Sequence, residues 1–261
     1  MKRLVTALAL IPTITYVVIW SPIVVFGAVL AAVASLCYLE YSGIVAAHGI
    51  EKPGLMGLLT GLGLLFFPGD TAAFVAIAVL LSMALALRSS DLRRELPRSA
   101  AFALGLLYVF GAWRCCVPLR AISPYWLFFA IALNWVGDSA AMYAGKTFGR
   151  NKLAPVISPG KTWEGAVASV IGSVIFGLIY AHYLLPNAPL WLVGAVAVVA
   201  NIAGQIGDLC ESAFKRGAGM KDSGTLLPGH GGWLDRVDST LFAVPAAYAL
   251  LAGARALWGV V

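Results

Sequence analysis

Three polar blocks in an otherwise apolar chain carry the residues able to do chemistry. They read "NWVGDSAAMYAGKTFGRNKLAPVISPGKTWEG" from Asn134, "NIAGQIGDLCES" from Asn201, and "KRGAGMKDSGTLLPGHGGWLDRVDS" from Lys215 to Ser239. Asp208, Glu211, Ser212 and Lys215 follow one another at spacings of three, four and seven from Asp208, which sets them on one helix face. Asp235 and Asp238 lie three apart where the last apolar segment begins, again on one face, and acids at a helix N-terminus gain from the helix dipole. Asp138 and Asp208 fall in the inner parts of apolar helices. An acid at the centre of such a helix costs about 2.5–3.5 kcal/mol on insertion scales, so each needs a compensating partner.

Two explanations compete for these acids. They can pair with Lys215, Arg216, Lys221 or Arg236 in a structural network, or they can hold a cation. An oxygen-rich, histidine-poor set suits a hard ion such as Mg²⁺ better than zinc. His230, alone inside "PGHGG", is not a metal-ligand pattern; it is either a loop histidine or part of a segment whose glycines let backbone approach a phosphate. Carboxylates for Mg²⁺, Lys and Arg donors and glycine loops are together the parts needed for phosphoryl or nucleotidyl transfer, where positioning and charge neutralisation do most of the chemistry. No G-x-x-x-x-G-K-[ST] run occurs, which disfavours an ordinary P-loop.

The elements that must position these groups are membrane helices. Of the 261 residues 61% are hydrophobic and 11% charged, and the mean hydropathy is +0.88, far from the balance of a soluble domain. An all-α, polytopic bundle follows. Turn and charge clusters divide it into about nine transmembrane helices: 4–20, 22–47, 53–67, 70–87, 97–117, 123–145, 162–185, 188–210 and 236–258. The third and fourth are short, so a re-entrant pair there is an alternative. The first is a retained helix, since no A-x-A-like cleavage site follows it, and Pro12 is placed to kink it. With a cytoplasmic N-terminus, fifteen of the eighteen Lys and Arg residues lie inside and only Arg114, Arg120 and Arg255 outside. All three polar blocks then face the cytoplasm.

Residues 1–120 form generic transmembrane helices, and 121–261 carry the cytoplasm-facing site. No repeat suggests inverted halves. Glu40 is the one acid well inside an early apolar stretch; near the inner end of its helix, snorkelling or a partner at a helix end accounts for it better than chemistry. "RSSDLRRELPRS" reads as a solvated, topology-setting loop. Cys37, Cys115, Cys116 and Cys210 show no C-x-x-C spacing and read as small apolar fillers. The net charge of +6 reflects topology and attraction to anionic headgroups, with no basic-aromatic tract for nucleic acid.

At the third block the chain resembles the integral-membrane phosphatidate cytidylyltransferases. Their signature is a Ser, Lys-Arg, Lys-Asp four residues later, His-Gly-Gly and Asp-Arg-x-Asp; here it is "SAFKRGAGMKDSGTLLPGHGGWLDRVD" from Ser212 to Asp238. "GDSAAMYAGKTFGRNKLAPVISPGKTWEG" is similar to the family's upstream block. Trp233 departs from the usual aliphatic residue, which bears on local packing alone. The resemblance implies transfer of CMP from CTP to phosphatidic acid, giving CDP-diacylglycerol and pyrophosphate in phospholipid biosynthesis, with Mg²⁺, one ion or two. It implies Asp208 and Asp235 as metal ligands with Asp238 and Asp138 nearby, and Lys215, Arg216, Lys221 and Arg236 on phosphates. Asp222 and His230 belong to the same catalytic set. Ser158, Lys161, Thr162, Ser212, Gly231 and Gly232 are candidate substrate contacts. Partners are CTP, phosphatidic acid and membrane lipid, with a homodimer compatible; the expected setting is a bacterial inner membrane with the site facing the cytoplasm. A CTP-using lipid kinase of the dolichol or phytol type, and a transporter using its acids as a relay, are the alternatives.

Overall fold

The computed structural model describes residues 2–88, 91–226 and 231–259. Each of the nine apolar segments contains helix. They are α1 (Lys2–Ile19), α2 (Ile23–Ala47), α3 (Gly54–Phe66), α4 (Thr71–Leu85), the composite α5 (Leu92–Ile122), α6 (Pro124–Phe148), α7 (Trp163–Leu184), α8 (Leu190–Gly217) and α9 (Leu234–Trp258). Among the described residues six, α2 and α5 to α9, are long and apolar enough to cross a membrane. The expected nine crossings are thus supported for six helices. The 13 residues of α3 and 15 of α4 rise only about 20 and 22 Å at 1.5 Å each, short of a hydrocarbon core of about 30 Å.

Helix starts follow local chemistry. Asp70 accepts hydrogen bonds from the Ala72 and Ala73 amides at the head of α4, at 2.8 and 3.2 Å. Ser123 accepts from the Tyr125 amide ahead of α6, where Pro124 takes the first helical position. The stop of α8 lies seven residues beyond the expected 210, so Lys215 and Arg216 occupy its last turn, where cations complement the dipole. Within α5, the wide π turn Leu106–Gly111 brings Phe110 against Tyr38, ring centroids 5.2 Å apart.

One element departs from an all-helical bundle. Strands β1 (Lys152–Ala154) and β2 (Ser158–Thr162) form an antiparallel hairpin, with Lys152 opposite Thr162, Ala154 opposite Ser158 and an irregularity between. Pro155 and Pro159 bar a helix here, because proline lacks the amide hydrogen and clashes with the preceding turn. The base of the hairpin is closed by the Trp163 amide on the Asn151 carbonyl at 2.9 Å and by Asn151 Nδ2 on Glu164 Oε1 at 2.8 Å.

The chain divides into two compact units. The first comprises Met1–Ala9, Pro22–Arg114 and Phe214–Arg236; the second Leu10–Ser21, Cys115–Ala213 and Val237–Val261. In the first, Tyr38, Leu64, Leu65, Leu106 and Phe110 are fully buried, the Tyr41 hydroxyl donates to the Ala101 carbonyl at 2.7 Å, and Arg114 donates to the Phe67 carbonyl. In the second, Phe129 stacks on Tyr180 at 5.3 Å, and Arg120 donates to the carbonyls of Val18 in the last turn of α1 and of Ser21 just beyond it.

The second unit also buries a polar network. Asn201 Nδ2 donates to Ser169 Oγ at 3.0 Å and Ser173 Oγ at 2.9 Å, and Gln205 Nε2 donates to Asn201 Oδ1 at 2.7 Å. Such bonds tie apolar helices together where lipid supplies no hydrophobic drive. Here they fix the face of α8 on which Asp208 follows Gln205.

Candidate active site

In the second unit, the β2 strand delivers Lys161 to Asp208. Lys161 Nζ stands 2.6 Å from Asp208 Oδ2, and both side chains are a little under a third exposed. Ser212, one turn along α8, donates its hydroxyl to Asp208 Oδ1 at 3.3 Å. Asp138 on α6 is exposed and within electrostatic range of both Asp208 and Lys161. Thr162, next to Lys161, is buried, and its hydroxyl accepts the Gly165 amide at 3.1 Å as the cap of α7. Ser158 opens β2 and is half-buried. Asp238 is half-buried and accepts the Ser239 amide at 2.7 Å. The "SPGKT" run therefore works as a short arm whose root is the capped start of α7 and whose lysine reaches the acid on α8.

The first unit holds a second acid–lysine pair. Lys215 Nζ lies 2.5 Å from Asp235 Oδ1, with the side chains 9% and 7% exposed. Asp235 also accepts the Ser223 amide on both oxygens, at 3.1 and 3.0 Å, and the Gly232 amide on Oδ2 at 2.7 Å. Gly231 has a φ of +76°, and a Cβ there would stand 2.6 Å from Asp235 Oδ2, so the first glycine of the pair is required twice over. Around this buried centre Arg216, Lys221, Asp222 and Arg236 are exposed, and Arg216 donates to the Met220 carbonyl at 3.1 Å. His230 lies outside the described residues.

The structure sorts the acids and bases that spacing brought together into Lys161 with Asp208 and Lys215 with Asp235. Two groups outside the candidate set join this centre. Glu40 on α2 accepts hydrogen bonds from the Ser223 hydroxyl and from the Trp233 and Leu234 amides, at 2.8, 3.0 and 2.8 Å. It is the helix-end partner that an acid in an apolar stretch demands, here at the head of α9. Ser223 is the other: its amide binds Asp235 and its hydroxyl binds Glu40. The signal for Ser223 was only its place beside Lys221 and Asp222. Trp233 meets Glu40 through its backbone amide, which any residue but proline would supply.

Among the described residues no three Asp, Glu, His or Cys side chains converge as a ready-made metal cage. Mg²⁺ does not demand one, since it commonly binds through one or two carboxylates and keeps several waters or phosphate oxygens. Asp208 with Asp138 fits that donor set: oxygen-only, partly exposed and backed by a lysine. Asp235 fits less directly, because both its oxygens are already engaged by Lys215 and two amides.

Comparison with known proteins covers nearly all of this framework. The family model described as "Cytidylyltransferase family" matches residues 1–253. A phosphatidate cytidylyltransferase of Staphylococcus saprophyticus is 33% identical over 245 residues, 90% of this chain and 94% of the relative. That of Staphylococcus haemolyticus is 36% identical over 209 residues, 77% and 80%, and that of Staphylococcus aureus strain COL 33% over 236 residues, 88% and 89%. Both acid–lysine pairs, the capped arm and the glycine loop fall inside the matched region, and the chain belongs to the cytidylyltransferase family.

Proposed function

We propose that this membrane protein transfers CMP from CTP to phosphatidate, giving CDP-diacylglycerol and pyrophosphate. The observation that carries this is the match over residues 1–253 to the cytidylyltransferase family, together with relatives at 33–36% identity named phosphatidate cytidylyltransferase. In the reaction a phosphatidate oxygen attacks the α-phosphorus of CTP, a new P–O bond forms, the bond to the β-phosphate breaks, and pyrophosphate departs with the electron pair. The attacking phosphate is already ionised at neutral pH, so no side chain has to remove a proton.

The chain's own task is to hold negative charge in place. Lys161 and Lys215 present ammonium groups whose partner acids fix their direction. Arg216, Lys221 and Arg236, exposed near the second pair, would take phosphate oxygens. Asp208 and Asp138 would hold Mg²⁺, whereas Asp235 would take a cation only in exchange for Lys215. Bound there, the ion would neutralise the phosphate oxygens and the leaving pyrophosphate. The bias of basic residues in the sequence supports a site on the cytoplasmic side of a bacterial inner membrane, where CTP is available.

The test is purified protein in detergent with phosphatidic acid, radiolabelled CTP and Mg²⁺. Labelled lipid and pyrophosphate in equal amounts are expected. Release of CDP with phosphorylation of a lipid alcohol would replace this reading with a lipid kinase, and solute uptake into sealed vesicles without CTP would replace it with a transporter.

A further inference from the structure

Helix α2 lies outside every segment that the chemistry singles out, yet its last two turns and the residue that caps them, His48, hold both ends of the signature. Glu40 is 6% exposed and spends both carboxylate oxygens on the 223–234 region: Oε1 on the Trp233 amide, Oε2 on the Ser223 hydroxyl and the Leu234 amide. The contact spans 183 residues of sequence to Ser223. Eight residues later His48 Nε2 is 2.9 Å from the Phe214 carbonyl, the residue before Lys215. The glycines of the signature make room for this grip. A Cβ on Gly224 would stand 2.6 Å from Glu40 Oε1, and one on Gly232 would collide with Glu40 Oε2 and the Ser223 hydroxyl.

An acid in a membrane-length helix is costly unless it is fully engaged, and three donors engage this one. Two of the three are unpaired amides at the head of α9, which carry the positive end of the helix dipole. The third, Ser223, passes the constraint on: the residue whose hydroxyl Glu40 holds is the residue whose amide binds both oxygens of Asp235. Glu40 and Asp235 therefore both hold Ser223, one through its hydroxyl and the other through its amide.

We propose that Glu40 is a positioning residue for the transfer reaction, holding Ser223 and the Trp233–Leu234 backbone so that Lys215 and Asp235 are presented to phosphate. This rests on the assignment of that pair to the reaction. Its action is geometric, because a displacement of about 1 Å at a reacting centre can cost roughly 100-fold in rate.

The test uses the full-length protein in detergent. Glu40→Gln keeps the shape, but either placement of its amide sets an NH₂ group against a backbone N–H of α9. The expected result is a fall in kcat of roughly 10- to 100-fold with the KM for phosphatidate unchanged, and faster tryptic cleavage after the exposed Lys221. Ser223→Ala should move both readouts in the same direction by less. The double variant should lose no more kcat than Glu40→Gln alone, the non-additivity expected of groups acting through one contact. Normal kcat per folded molecule with unchanged cleavage in Glu40→Gln would overturn the proposal; should that variant fail to fold, normal values in Ser223→Ala would do the same. Joint replacement Lys215→Met with Asp235→Asn separates the premises. Full activity in it removes the pair from the reaction and the proposal with it, whereas an inactive pair variant beside a fully active Glu40→Gln removes only the role of Glu40.

Discussion

Replacing Asp235 by asparagine is expected to unfold this protein more readily as well as to silence it, and the two effects can be separated. Lys215 and Asp235 are under a tenth exposed and 2.5 Å apart. Asparagine keeps one acceptor oxygen for the Ser223 or Gly232 amide, but it leaves the Lys215 ammonium buried without its counter-charge. Breaking one half of a buried ion pair costs about 3–5 kcal/mol. At about 2–4 °C per kcal/mol for a chain of this size, the thermal midpoint should fall by roughly 6–20 °C. Adding Lys215→Met removes the stranded charge, and buried pairs replaced by apolar groups of similar volume are often neutral, so the double variant should recover most of that loss. Turnover should stay lost in both, because Asp235→Asn leaves Lys215 without the carboxylate that directs it and the double variant has no ammonium there at all. The assays are unfolding monitored by temperature in detergent and formation of labelled lipid from CTP. A midpoint for Asp235→Asn within 2 °C of wild type, in the scale of that estimate, would refute the buried-pair reasoning; a folded double variant with normal turnover would refute the functional one.

Asp208→Asn differs in the expected balance. Its pair with Lys161 is partly exposed, so the stability cost should be only about 1 kcal/mol, while turnover should fall by roughly 10³-fold if several kcal/mol of phosphate neutralisation depend on it. Activity within tenfold of wild type at limiting Mg²⁺ would exclude Asp208 as a metal ligand, by the same arithmetic. For topology, single cysteines at Ala218 and Asn187 in a cysteine-free background should label from opposite sides of the membrane, with 218 cytoplasmic. Labelling of both from one side would overturn the orientation drawn from the basic residues.

Much of this architecture is legible in one dimension because membrane helices are local objects. A run of apolar residues long enough to span, a cap such as Asp70 or Thr162 and a proline at a helix start each act within a few residues, so composition and spacing locate them. The same holds for helix faces: Asp208 and Ser212, one turn apart, do share a face and do bond. The hairpin that carries Lys161 was less visible, since its strands are only three and five residues long and the paired apolar alternation that marks longer strands is missing.

The choice of partners was left to the tertiary structure. Spacing names a face but not what it meets, and four basic residues stood equally near the acids of the third block. Packing gave Asp235 to Lys215, and Asp208 to Lys161, which lies 47 positions away. It also decided Glu40, whose need for donors follows from burying a carboxyl group among apolar residues, while the identity of those donors, 183 to 194 positions further on, depends on how α2 packs within its unit. The physical reason is range. Helix formation and capping are settled by bonds within one turn, whereas the pairing of buried charges is settled by which distant segments can close-pack and leave no polar group unsatisfied.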